Sequence, residues 1–275
     1  MTIIEAITLG IVQGLTEFLP ISSTAHLRVI PALLGWGDPG TAYSAVIQLG
    51  SVLAVITYFW KDITSIIGGA ISSLIKKNWN SESIRLLLGI IIGTIPICII
   101  GLLLKHILEA NNNPFRSLTV IAWAAIIMGL LLLFADGRNR QTRDLHVVGV
   151  RDGFLVGLGQ CLALIPGCSR SGSTLTVALL LNLKREEAAR FSFLLGVPAI
   201  TLSGLLELKE LLNHGLSQSS SMELLVGFLV STVVSYAAIA WFLRYLKMHS
   251  VRAFVHYRLV FGIIVLFLAS RSTIH

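Results

Sequence analysis

Two short stretches of this chain set polar and ionisable side chains inside otherwise apolar sequence. The first reads Gln13-Gly-Leu-Thr-Glu17-Phe-Leu-Pro20-Ile-Ser22-Ser23-Thr24-Ala-His26. Gln13 and Glu17 are four residues apart and share a helix face, while Ser23 and His26, three apart, share a face of the piece after Pro20. One surface then gathers an amide, a carboxylate, a hydroxyl and an imidazole. An ionisable side chain inside a bilayer costs at least ~2.5 kcal/mol on insertion scales, so Glu17 calls for a function or a partner. The second stretch reads Pro166-Gly-Cys-Ser169-Arg170-Ser171-Gly-Ser173-Thr174 and opens a run of Leu, Val and Ala. An arginine among small hydroxyl residues and glycines at a helix start offers a bidentate guanidinium, backbone N–H groups and the positive helix end to one anion. Phosphate is the natural ligand of such a cradle. A pair between Arg170 and Glu17 would neutralise both charges, but a pair alone would not require the flanking hydroxyls.

These two constellations point to phosphoryl transfer on a lipid phosphate. Ser23 could attack phosphorus with His26 or Glu17 as its base, the logic of covalent catalysis. Alternatively, Glu17 could activate a water or hold a divalent cation that neutralises the phosphates. The residues leave both routes open.

The elements that must position these groups belong in a membrane. Of 275 residues, 55% are apolar and only 13% charged, against about 25% charged in ordinary soluble domains. Uncharged runs at Ala42–Trp60, Leu86–Leu104, Ser117–Ala135 and Leu224–Leu243 reach the ~20 residues that cross a bilayer as a helix. Phe191–Leu206 and Phe254–Ser270 are weaker spans, the last with Arg258 near its start and expected to snorkel to the interface. Residues 63–75 are too short and polar to span and are expected at the cytoplasmic surface. The N-terminus lacks the basic region of a cleavable signal and carries Glu5 and Glu17. Cys98, Cys161 and Cys168 have neither disulfide nor zinc spacing. The net charge of +7 falls in loops, with no basic and aromatic module for nucleic acid.

The chain also echoes itself. Gly10-Ile-Val-Gln13 leading to Pro20 matches Gly157-Leu-Gly-Gln160 leading to Pro166. Tyr43-Ser44 matches Phe191-Ser192, Leu88-Gly89 with Thr94 matches Val226-Gly227 with Thr232, and Met128-Gly129 matches Phe261-Gly262. Each half therefore holds a proline-broken segment, Ile3–Leu34 or Gly153–Leu183, followed by three spans. If each broken segment is a re-entrant hairpin, a half crosses three times and the halves are inverted, an arrangement that puts a binding site near the midplane. The expected fold is thus an all-α integral membrane domain of two inverted repeats, 1–135 and 153–275, joined by a cytoplasmic linker, 136–152. Of 21 Lys and Arg, fifteen then lie on one side, among them Lys61, Arg143, Arg185 and Arg258. Five lie on the other: Arg28, Lys105, Arg116, Lys209 and Arg271. That bias makes the first side cytoplasmic.

Gln13 to His26 and Pro166 to Thr174 resemble the two signatures of the bacterial undecaprenyl-diphosphate phosphatase family, known for bacitracin resistance, and the resemblance covers essentially the whole chain. It implies a multi-pass plasma-membrane hydrolase that converts undecaprenyl diphosphate to the monophosphate and recycles the carrier for peptidoglycan synthesis. Its site would open toward the outer face, and a divalent cation, magnesium or calcium, would assist. By motif position it assigns Gln13 and Glu17 to metal or water handling, Ser23 and His26 to catalysis, and Ser169, Arg170, Ser171 and Thr174 to phosphate binding. Some family members carry a second glutamate where this chain has Gln13, and a neutral amide is a poorer metal ligand. A lipid-phosphate transporter or flippase is the rival reading, because it shares the inverted-repeat architecture. An acid-phosphatase-like lipid phosphatase would need a His and Asp pair downstream of its Ser-Arg, and after Arg170 the next histidine is His214. A homodimer is left open.

Overall fold

A capping box between Thr2 and Glu5 starts α1 (Ile3–Thr16), and Pro20 ends it. The proline ring would clash with the carbonyl of residue 16 and offers no N–H to the ladder. Residues 17–22 make the break, and α2 (Ser23–Leu34) follows, closed by Gly35 at φ 67. In this computed structural model, which describes residues 1–37, 40–108, 115, 117–214 and 221–271, the remaining elements are also helical. They are α3 (Gly40–Tyr58), α4 (Trp60–Ile75), α5 (Glu82–Leu103), the single turn α6 (Lys105–Leu108), α7 (Leu118–Arg138), α8 (Val150–Gln160), α9 (Arg170–Leu180), α10 (Arg185–His214), α11 (Ser221–Met248) and α12 (Arg252–Ser270). Arg116, expected on the outer side, lies outside the described residues.

Five helical stretches are long and apolar enough to cross a bilayer: Glu82–Leu103, Leu118–Arg138, Arg185–Leu206, Ser221–Met248 and Arg252–Ser270. The pair α3 and α4, bent by 66°, makes a sixth if counted as one span. The five correspond to five of the spans read from the sequence; the sixth, Ala42–Trp60, falls mainly on α3, which meets the length only together with α4, where residues 63–75 lie beyond the bend. Leu88, Ile91, Ile95 and Ile99 of α5 and Leu225, Leu229 and Val233 of α11 stand exposed in rows. Apolar stripes of that length face lipid in a membrane protein, where water would penalise them.

Each proline-broken hairpin leans on a span from the other half. Backbones approach so closely at Gly89 and Gly93 of α5 against Gly153 and Gly157 of α8 that a Cβ on Gly153 would sit 2.0 Å from the Gly89 carbonyl oxygen. The motif is the small-xxx-small contact of membrane helices, which gains van der Waals contact where apolar burial gives no advantage over lipid. In the same way α1 packs on α11. The stretches 1–135 and 153–275 are therefore interleaved, and α8 begins at Val150, inside the expected linker.

The rest of that linker is tied down. Arg143 forms two hydrogen bonds to Asp152, each of 2.8 Å, and residue 143 bridges to Leu183. Further ion pairs join Asp136 to Arg185, Asp62 to Arg190, Asp144 to Lys184 and Glu186 to Lys247. These five arginines and lysines all come from the set read as cytoplasmic.

Candidate active site

The two breaks have the same local form. Ser22 and Ser169 cap the following helices from the left-handed region, at φ 76 and φ 68, a conformation that costs a non-glycine residue of order 1–3 kcal/mol. The hydroxyl of Ser22 accepts from the Ala25 N–H and that of Ser169 from the Gly172 N–H. The sharp turns aim Ser23 and Arg170, the first residues of α2 and α9, at one place, together with two positive helix ends.

Glu17 stands where they meet. Its Oε2 accepts from the Ser23 hydroxyl at 2.7 Å and from Gln13 Nε2 at 3.1 Å, while its Oε1 accepts from Arg170 Nη2 at 3.3 Å. Glu17 is buried and the Arg170 side chain is 11% exposed. The carboxylate, serine and guanidinium singled out in the sequence thus meet in one hydrogen-bonded cluster. Arg170 is not fully used by it. Its Nη1 reaches only the Ser192 carbonyl oxygen at 3.5 Å, and its buried Nε has no partner. A buried donor left open on a guanidinium is a vacancy that an anion would fill. Gly196 makes room for the group, since a Cβ there would lie 1.9 Å from Nη1.

The other expected residues divide by where their hydroxyls and rings point. Ser171 donates to the Leu19 carbonyl oxygen at 3.0 Å, Ser169 caps α9, and Thr174 donates to the Arg170 carbonyl oxygen at 2.8 Å and meets Ser192. These hydroxyls build and fasten the second break, which leaves the Arg170 guanidinium, at the positive end of α9, as the donor open to a phosphate. His26 is turned away from Ser23. Its Nδ1 lies 2.7 Å from the Ser22 carbonyl oxygen and must carry a proton, so Nε2 accepts from the Tyr257 hydroxyl at 2.7 Å. The ring stacks on Phe261. The helix spacing that placed His26 beside Ser23 holds only if the two side chains leave the helix alike, and packing against α12 decided otherwise.

Arg258 corrects the sequence reading outright. Far from snorkelling to the cytoplasmic interface, it is 1% exposed. Its guanidinium donates to four backbone carbonyls, those of Pro20, Ala125, Gly167 and Cys168, at 2.9 to 3.1 Å. Both breaks free carbonyl groups that no helix can satisfy, and one guanidinium serves them across the junction. A charged residue early in an apolar helix was the available signal, but the sequence held no trace of its acceptors. Replacing Arg258 by methionine keeps the volume and takes the guanidinium donor from the carbonyls of Pro20, Gly167 and Cys168, whereas that of Ala125 lies within α7 and keeps its helical bond. The variant is expected to lose about 3–5 kcal/mol of stability, measured as the drop in thermal unfolding temperature in detergent.

No three His, Cys, Asp or Glu side chains gather as a metal centre among the described residues. Glu17 supplies a carboxylate, and magnesium is commonly held by one or two carboxylates plus substrate phosphates, so the site fits a cation that shares a diphosphate. Gln13 fits less well. Because a carboxylate only accepts, Gln13 must turn its nitrogen toward Glu17, and the amide oxygen expected on a metal points elsewhere.

Residues 6–264 match the family model described as bacitracin resistance protein BacA. A protein of Gloeobacter violaceus named undecaprenyl-diphosphatase is 56% identical over 264 residues, covering 96% of this chain and 91% of its own length. Proteins of the same name from Trichormus variabilis and Synechococcus elongatus are 54% and 52% identical, covering 97% and 98% of this chain and 83% and 94% of their own.

Proposed function

This chain belongs to the BacA family of bacitracin resistance proteins, and from that premise we propose that it hydrolyses undecaprenyl diphosphate to undecaprenyl phosphate and inorganic phosphate. The reaction returns the lipid carrier to peptidoglycan synthesis and so confers bacitracin resistance. The observation that carries the reading is the shared carboxylate: Glu17 accepts from the Ser23 hydroxyl on one oxygen and from Arg170 on the other. A nucleophile and an anion clamp are then each one hydrogen bond from the base that joins them.

The chemistry follows from that contact. A diphosphate entering the site draws Arg170 from Glu17, because the phosphate carries more charge and fills the open Nε donor. Glu17 takes the Ser23 proton as the Ser23 oxygen bonds to the terminal phosphorus and the anhydride bond breaks, the electron pair leaving with undecaprenyl phosphate. Water then attacks the phosphoserine and the bond from Ser23 to phosphorus breaks, Glu17 returning its proton to the Ser23 oxygen while both water hydrogens leave with the inorganic phosphate. A divalent cation, magnesium or calcium, would be held by Glu17 and would neutralise part of the substrate's charge. The protein is multi-pass, and we place it in the bacterial plasma membrane with the site open to the outer face. The abundance of Lys and Arg in the set read as cytoplasmic supports that orientation.

The purified protein in detergent, given undecaprenyl diphosphate, is expected to release one phosphate per lipid and to leave soluble diphosphates largely intact, with chelator suppressing the rate. Lipid movement across vesicles without phosphate release would instead favour the transporter. Ser23→Ala separates attack by serine from attack by water. It is expected to lower kcat by about 10³-fold, and most of the rate surviving would assign the nucleophile to water.

A further inference from the structure

Next to Gln13, and outside both polar stretches of the sequence, lies a buried group of three serines. Ser51 of α3 and Ser231 and Ser235 of α11 are each fully buried. Gln13 Nε2 approaches the Ser51 oxygen at 3.4 Å, Ser235 donates to it at 2.9 Å, and Ser51 lies 3.1 Å from Ser231. Ser231 spends its proton on the Ile47 carbonyl oxygen at 2.6 Å.

The directions of these bonds are determined by elimination. With its proton on Ile47, Ser231 can only accept from Ser51, so Ser51 donates once and takes Gln13 and Ser235 on its two lone pairs. The amide of Gln13 is then held at both N–H groups, one on Ser51 and one on Glu17. A carboxylate whose donor is itself tethered keeps one orientation, the arrangement that outer partners impose on a catalytic or metal-bound group.

The second half of the chain supplies the contrast. Gln160 is the counterpart of Gln13 in the repeat and is as deeply buried, yet neither its amide nitrogen nor its oxygen has a partner. The fold therefore tolerates an untethered glutamine at this helix position. The serines accompany only the glutamine that touches Glu17.

We propose that Ser51 is a positioning residue for the hydrolysis: acting through Gln13, it holds Glu17 in the orientation that receives the Ser23 proton. This rests on the phosphatase reading above. The competing account is that the serines only join α3 to α11, whose backbones approach closely at Gly50, as hydroxyls often do between membrane helices.

A double-mutant cycle separates the two. Steady-state phosphate release from undecaprenyl diphosphate is measured for the wild type, Ser51→Ala, Gln13→Ala and the double variant, all purified in detergent. Ser51→Ala is expected to lower kcat about five- to tenfold, the size of one net hydrogen bond, with KM unchanged. In the Gln13→Ala background it is expected to cost nothing further, because the tether then has nothing to hold. Ser51→Cys keeps the volume but accepts weakly, so it should match Ser51→Ala in kcat while unfolding at the wild-type temperature. Losses that multiply in the double variant, a change in KM alone, or an unchanged kcat in Ser51→Cys would each overturn the proposal. Absence of hydrolysis in the wild type would instead refute the phosphatase reading.

Discussion

Arg170→Ala, at unchanged abundance in the membrane, is expected to lower phosphate release by at least about 10³-fold, the loss of ~4 kcal/mol of transition-state stabilisation. The guanidinium is largely withdrawn from solvent, its Nε is open, and α9 starts at this residue, so the positive end of the helix lies at the site. As the anhydride breaks, charge develops on phosphoryl oxygens beside largely buried groups, where fixed donors act more strongly than in water. Arg170→Lys restores a charge for Glu17 to pair with but not the planar fork, and it is expected to remain about 10²-fold impaired. That variant distinguishes a clamp from a counter-ion. If lysine restored full activity, Arg170 would serve only to neutralise Glu17, and the anion site would have to lie elsewhere.

Glu17→Gln is expected to be comparably severe, about 10³-fold in kcat, and different in form. The amide occupies the carboxylate's volume but cannot take a proton from Ser23, so the chemical step fails. Arg170 loses the partner with which a substrate phosphate must compete, so KM should hold or fall. Loss of kcat with KM held or lowered, from steady-state phosphate release, is the signature of a base that also acts as a removable counter-ion. A rise in KM with kcat intact would mean that Glu17 only helps to bind the substrate. The variant also leaves a buried guanidinium without its anion, at a cost of several kcal/mol, so its unfolding temperature in detergent is measured alongside.

Periodicity and composition by themselves determined the helices and the membrane. Runs of ~20 apolar residues have no other stable form in a bilayer, where every backbone group must be satisfied within its own segment. Pro20 and Pro166 broke the helices because a missing N–H and a ring clash are local facts, present in any fold. The convergence of Glu17 with Arg170 was legible too, since two ionisable groups in apolar segments need either each other or a ligand.

Tertiary structure alone decided the rest. His26 turns its imidazole to Tyr257 and Ser22 rather than to Ser23 because α12, more than two hundred residues away in the chain, offers a ring and a hydroxyl there. Arg258 lies in the centre of the molecule because both breaks leave carbonyls unsatisfied, and their number and positions exist only once the hairpins meet. Ser51, Ser231 and Ser235 look in sequence like any small residues of membrane helices. They become a tether for Gln13 only where α3 and α11 pack beside α1. Covalent geometry and the bilayer act on each segment separately and can be read along the chain, whereas the partner of a buried polar group is set by packing between distant segments.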